Sequence, residues 1–236
     1  MTEHDAAVVH GEPIPEARIE AFLKSAGWAT SVRGAGLYQC AAPPRGATGH
    51  DEVAHTHRHT AAPPSDRRAR DERQRRRWAT QVVVTDELAR RACAARGLEP
   101  PPEASPTLVA ESDVADLGSI VATALAHSPA ARTLLAELER EQPVPEEAAW
   151  EYYTRNRDRY LTPDALRRGV NPFHGATDAD FVPYERARDG ITAELRRAAG
   201  QRAFFDWLDR ARAKVTYAPG HEHPGDPSHP DHEHRH

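Results

Sequence analysis

Between Pro183 and Val215 the chain runs for about thirty residues without another proline, and this stretch constrains the fold more than any other. Ile191, Leu195, Ala198, Phe205 and Leu208 recur at helical spacing, and Phe204, Trp207 and Ala211 widen the stripe. Arg and Glu residues fill the opposite face. A long helix with one apolar stripe must bury that stripe against elements made earlier. The expectation is that this helix returns to the opening segment and to a helix predicted over residues 66–96.

The rest of the chain supplies those partners unevenly. Ala6 to His10 is a β-prone run closed by Gly11-Glu12-Pro13, and Ile14, Ile19, Phe22 and Leu23 then begin a helical pattern. The pattern dissolves from Ser31 to Pro44, and residues 45–65 have no core-forming periodicity, so a disordered His-rich insertion is expected there. Ser65 or Asp66 caps the next predicted helix, which runs to Arg96 and offers Trp78, Val82, Leu88, Ala92 and Ala95 to the core. The run Val82-Val83-Val84-Thr85 favours strand locally. Its helical flanks outweigh a preference of a few tenths of a kcal/mol per residue.

Residues 100–106 read as a linker. A helix over 116–126 follows, and then one opened by Ser128 as N-cap with Pro129 at its first position, burying Leu134, Leu135 and Leu138. After Pro143 and Pro145 a further helix places Glu146 and Glu147 first and Arg155, Arg157 and Arg159 last, which suits the helix dipole. Trp150 and Tyr153 are its expected core anchors. Residues 161–181 look irregular, and after Tyr217 the chain is expected to leave the core as a disordered tail. The predicted fold is mainly α with a short N-terminal strand. Its segments are 1–44 (strand and helix), 45–65 (insertion), 66–217 (helical body) and 218–236 (tail).

Composition narrows the function classes. The 236 residues have 39% hydrophobic content and a mean hydropathy of -0.74, which leaves part of the chain outside any core. A net charge of -5 exerts no global pull on nucleic acid. Seven arginines lie between Arg67 and Arg77, but without interleaved aromatics they read as a solvated or partner-docking helix face. The start of the sequence lacks a basic and apolar leader pattern and no run reaches membrane-spanning length, so a cytoplasmic protein without membrane contact is expected. Cys40 and Cys93 form no CxxC pair and are expected to be reduced.

Several segments together resemble a known family. AVVHGEPIPEARIEAFL is similar to the strand, turn and first helix of SurA-type peptidyl-prolyl isomerases and chaperones, and VVVTDELARRACAARGL to a later helix of theirs. VPEEAAWEYYTRNRDRYLTPDAL resembles their "yY" segment, and the long C-terminal helix resembles the one that returns to their N-terminal domain. That family carries a parvulin isomerase domain of about a hundred residues between those two elements. Here only residues 161–183 fill the interval, with His174 as the lone histidine. The resemblance therefore implies a SurA-like helical chaperone scaffold lacking the isomerase, with no catalytic residue to carry over. No G-x-S-x-G elbow, P-loop, dinucleotide fingerprint or HExxH occurs in the sequence.

The chemistry-bearing residues are histidines. His221, His223, His229, His232, His234 and His236 fall within the last sixteen residues, interleaved with Asp, Glu and Pro. Neutral imidazole binds Ni, Zn and Cu well, H-x-H spacing favours adjacent coordination, and the prolines oppose a competing helix. A solvated low-complexity tail is the alternative. His50, His55, His57 and His59 form a second, weaker group in the insertion. The leading expectation is a non-catalytic chaperone or assembly factor, holding a client protein on its helical body and Ni or Zn on its tail, in the manner of metalloenzyme maturation. Two readings compete with it: a degenerate peptidyl-prolyl isomerase homologue acting as a general holdase with incidental histidines, and an enzyme of unrecognised mechanism.

Overall fold

A computed structural model describes residues 4–24, 64–102, 107, 115 and 117–223. Among them the chain is mainly helical, with one three-stranded antiparallel sheet. Strand β1 (Asp5–Val9) and strand β2 (Glu12–Pro15) form a hairpin, with Val9 opposite Glu12 and Ala7 opposite Ile14. His10 and Gly11 make its two-residue loop at φ 50° and 86°. Two consecutive positive φ values match the right-handed twist of the strands, which explains a glycine at the second position. Sequence patterning alone reads residues 11–13 as a turn and no more. Proline at 13 and 15 obscures β2, and an edge strand is where a sheet tolerates proline. Strand β3 (Val215–Tyr217) pairs with the other side of β1, giving the order β2-β1-β3. β3 is thus the element by which the chain rejoins its opening strand.

Helix α1 (Glu16–Lys24) buries Ile19 and sets Phe22 against the rings of Trp78 and His127. Helix α2 (Pro64–Ala95) starts a residue or two before the expected cap. From Arg77 through Thr85 every residue of α2 is buried, the three valines included. A helix buried on all sides is a core element rather than a surface one, and packing has overridden local strand propensity. Gly97 ends it at φ 66°, with Leu98 N–H donating to the Cys93 carbonyl. Cys93 is buried, whereas Cys40 lies outside the described residues. Helix α3 (Ser119–His127) follows, then helix α4 (Pro129–Arg140), where the Ser128 hydroxyl accepts from Ala131 N–H in the expected capping arrangement.

The remaining elements are helix α5 (Glu146–Arg155), a 3-10 turn (Arg157–Tyr160), helix α6 (Pro163–Arg167), a second 3-10 turn (Asp178–Asp180) and helix α7 (Tyr184–Arg212). The described residues fall into two compact units. Unit 1 draws on Met1–Arg91, Pro101–Ala131 and Lys214–His236, and unit 2 on Ala92–Pro100 and Arg132–Ala213.

In unit 2, α5 packs along α7 with Ala149, Tyr153 and Ile191 at the centre of the contact. The buried stripe of α7 is Ile191, Gly200, Phe204 and Leu208, while Phe205 is only half-buried and Ala198 is exposed. Gly200 is the member that an apolar count passes over. A Cβ there would lie 2.2 Å from Glu139 Cγ and 2.7 Å from Glu139 Cα, so the two backbones cross at a distance only glycine allows. Trp150, expected in the core, is 51% exposed, whereas Tyr153 is buried with its hydroxyl donating to the Val182 carbonyl. Residues 161–181 are more ordered than their composition suggests. Thr162 caps α6, Leu161 bridges to Phe181, and Asp180 closes a capping box with Thr177 while pairing with Arg168. Those interactions fill the interval between α5 and α7.

Candidate functional site

The polar residues buried in α2 need partners, because an unpaired buried polar group costs about 1–3 kcal/mol. Arg77, Thr80 and Gln81 are all 0% exposed. At spacings of three and four they share one helix face. What they meet is the start of the His-rich tail. Arg77 Nε donates to the Glu222 carbonyl at 3.0 Å, and Nη2 donates to the carbonyl of His223. Nη1 donates to Gln74 Oε1 at 3.1 Å. Gln81 Nε2 donates to the His221 carbonyl and its Oε1 accepts from the Tyr217 hydroxyl at 3.1 Å. Thr80 Oγ1 lies 2.8 Å from His221 Nδ1.

The tail reaches this seat through a tight turn. Ala218 N–H donates to the Ala6 carbonyl, extending the β3 side of the sheet, and His221 N–H donates back to the Ala218 carbonyl. Pro219 and Gly220 occupy the central positions, with Gly220 at φ 87°. Proline then a positive-φ glycine is the signature of a type II turn, and it directs the His221 ring back onto α2. The Glu222 carboxylate accepts from Gly220 N–H at 2.8 Å and stiffens the turn.

Two expectations change here. The chain does not leave the core at Tyr217: Ala218 and His221 are buried, and the carbonyls of residues 221–223 accept hydrogen bonds from α2. Nor is the arginine run uniformly a solvated face. Arg76 pairs with Glu16 and Arg75 with Glu72, but Arg77 turns inward as the anchor of the tail.

Of the histidines singled out, His221 is 6% exposed and His223 is exposed. His229, His232, His234 and His236, with His50, His55, His57 and His59, lie outside the described residues. Among the described residues no group of three His, Cys, Asp or Glu side chains is placed to hold a metal ion. Burial holds the His221 imidazole below its ordinary pKa; Arg76 adds to that, and Glu16 and Glu222 oppose it. Its ring is thereby kept in the neutral form that coordinates metals. Beside it opens a cleft of ≈ 660 Å³, lined by Asp5, Glu16, Glu72, Arg73 and Arg76 together with the turn that carries His221.

Unit 2 offers a second feature. Trp150, Leu166 and Phe173 are the large exposed hydrophobics among the described residues, and all three belong to it. Trp150 stands edge-on to Tyr184 with ring centroids 4.9 Å apart and rests against Tyr153. Beside this cluster Glu194 accepts from the Tyr152 hydroxyl at 2.7 Å and pairs with Arg159.

The sequence does carry a signal for the tail root. Pro219-Gly220 reads as a turn, and a turn so soon after a strand argues for a chain doubling back. Thr80, Gln81 and Thr85 among the apolar residues of α2 are the complementary sign, since polar side chains inside a buried helix require partners. Comparison with family models, with curated proteins and with solved structures finds no match to this chain. Among the described residues no helix is long and apolar enough to cross a membrane.

Proposed function

We propose that this chain is a non-catalytic, SurA-like chaperone or assembly factor that holds a client protein on its helical body and a transition metal, Ni or Zn, through its His-rich tail. The observation that carries the reading is the tail root. Arg77, Thr80 and Gln81 fix residues 221–223 at one place on α2, so the histidines that follow are tethered to a defined point of the fold. A merely solvated low-complexity tail would not call for a buried arginine at its base. The exposed Trp150, Leu166 and Phe173 support the client-holding half, because apolar side chains left in water are the kind of surface an unfolding chain would cover. A metalloenzyme subunit is the client chemistry that gives both halves one purpose.

The test is a calorimetric titration with Ni or Zn of the full chain and of a chain ending at His223, which keeps the anchored root intact. It is done at about pH 7.5 and about pH 5.5, either side of the unperturbed imidazole value of about 6.5. The full chain should bind metal at the higher pH, lose most affinity at the lower, and lose most capacity on truncation. Equal uptake by the two chains would remove the tail as the principal site. The client half is checked by suppression of aggregation of a heat-unfolded protein, which Trp150→Ala and Phe173→Ala together should weaken.

A further inference from the structure

The seat on α2 reads a backbone. Arg77 Nε and Nη2 and Gln81 Nε2 donate to the carbonyls of residues 222, 223 and 221, and a main-chain carbonyl is the same acceptor whatever side chain it carries. Ahead of that seat β3 lies along β1, with Val215 opposite Val9, Thr216 opposite Val8 and Tyr217 opposite Ala7, and Ala218 N–H adds a bond to the Ala6 carbonyl. Lifting residues 215–223 away would turn β1 from the central strand into an edge, and an edge is a template for pairing with another chain. Side-chain recognition is confined to a few points. Thr80 Oγ1 meets the His221 ring, Gln81 Oε1 accepts from the Tyr217 hydroxyl, and the φ of 87° at position 220 favours glycine. The ligand that fits is therefore a short strand, a Pro-Gly turn and an imidazole in that order, and a second copy of this chain carries that order in its own residues 215–221.

We propose that β1 and the polar face of α2 form a docking site for such a segment, filled within one chain by its own residues 215–223 and exchangeable for the same segment of a second copy. Exchange breaks and remakes identical bonds, so two chains that swap the segment lose none of them and meet only the entropy of association. The connection suits it as well. Ala213 and Lys214 alone join the end of α7 to β3, and short hinges favour exchange over closure within one chain. The inference uses no residue beyond His223 and stands whether or not the tail binds metal.

A fluorescein-labelled peptide of residues 215–223, VTYAPGHEH, tests exchange on the full chain by fluorescence anisotropy. Gly220→Ala is the informative variant, because an added Cβ meets nothing within 4 Å while the φ of 87° strains any residue that carries one. Placed in the chain, it weakens the internal segment and leaves α2 and β1 as they are. The unmodified peptide should then bind roughly fivefold to tenfold more tightly than it binds the native chain. Placed in the peptide, the same change should weaken binding to the native chain by about the same factor. His221→Ala, which loses the bond to Thr80, should show the same opposition between chain and peptide. Equal affinity of the peptide for the native and Gly220→Ala chains, or binding to neither, overturns the docking site. Light scattering on the concentrated full chain should also detect a species of twice the chain mass, and inserting two glycines between Ala213 and Lys214 should deplete it by relaxing the hinge. A chain that stays monomeric while the peptide exchanges overturns the second copy as occupant and leaves the site to a segment of another protein. A dimer undiminished by the insertion is a surface contact and overturns exchange equally.

Discussion

Replacing Gly200 with alanine is the sharpest test of how unit 2 is packed. The added methyl would stand 2.2 Å from Glu139 Cγ, 2.7 Å from its Cα and 2.9 Å from its Cβ. Carbon atoms in contact prefer about 3.5–4.0 Å. A rotamer change could move Cγ away, but Cα and Cβ move only if α4 and α7 separate by about an ångström at the crossing. Overpacking of that kind costs about 1–3 kcal/mol, and the involvement of a backbone atom places this site at the upper end. Against it stands the gain of roughly 1 kcal/mol from replacing a mid-helix glycine. The expected net loss is about 2 kcal/mol. Gly190 lies in the same helix, exposed, and a methyl added there would meet nothing within 4 Å, so Gly190→Ala should instead stabilise by about 0.5–1 kcal/mol. Urea denaturation followed by circular dichroism should therefore move the two midpoints in opposite directions. A Gly200→Ala midpoint that rises with that of Gly190→Ala would show that the helices do not cross there.

Phe204→Ala should cost about 3–5 kcal/mol because the ring is fully buried, and Phe205→Ala clearly less, since Phe205 is half-buried; equal losses in denaturant melts would contradict the assigned face of α7. Arg77→Met removes the donor to the carbonyls of Glu222 and His223 and should cost roughly 1–3 kcal/mol, with faster limited proteolysis around residues 218–223; unchanged cleavage there would mean the root is held without it. Burial raises the Glu139 carboxyl above its usual range, with Arg197 opposing. An acid whose folded pKa is raised binds its proton more tightly in the folded state, so its contribution is fully present below the unfolded value of about 4.3 and is lost as pH rises through and above it. Glu139→Gln should abolish that loss and be the more stable protein at pH 7, as read from midpoints across the acid range.

How much of this was legible in the sequence depended on whether a residue's role was local. Caps and turns are local, and Ser128-Pro129, Gly97 and the acid-first, base-last pattern of α5 all appear where composition places them. The valine run in α2 was legible as helix because its flanks outweighed it, and its burial followed from its apolarity. Gly200 and Arg77 were not legible, for opposite reasons. A glycine at a helix crossing is selected by what it lacks, so no apolar count finds it. An arginine inside a run of arginines looks solvated until the carbonyls it satisfies are known, and those lie well over a hundred residues further on in the chain. Trp150 erred in the other direction: its size argued for the core, yet Tyr153 and Ile191 fill that space and leave it half in water. The tail shows what connects these cases. Read alone, residues 218–236 are a polar low-complexity segment, and α2 read alone buries four polar residues, Arg77, Thr80, Gln81 and Thr85. Each anomaly accounts for the other, since the donors on Arg77 and Gln81 match the carbonyls of residues 221–223. A buried polar group in a predicted helix is thus a statement about some other part of the chain, and here it locates the root from which the histidines extend.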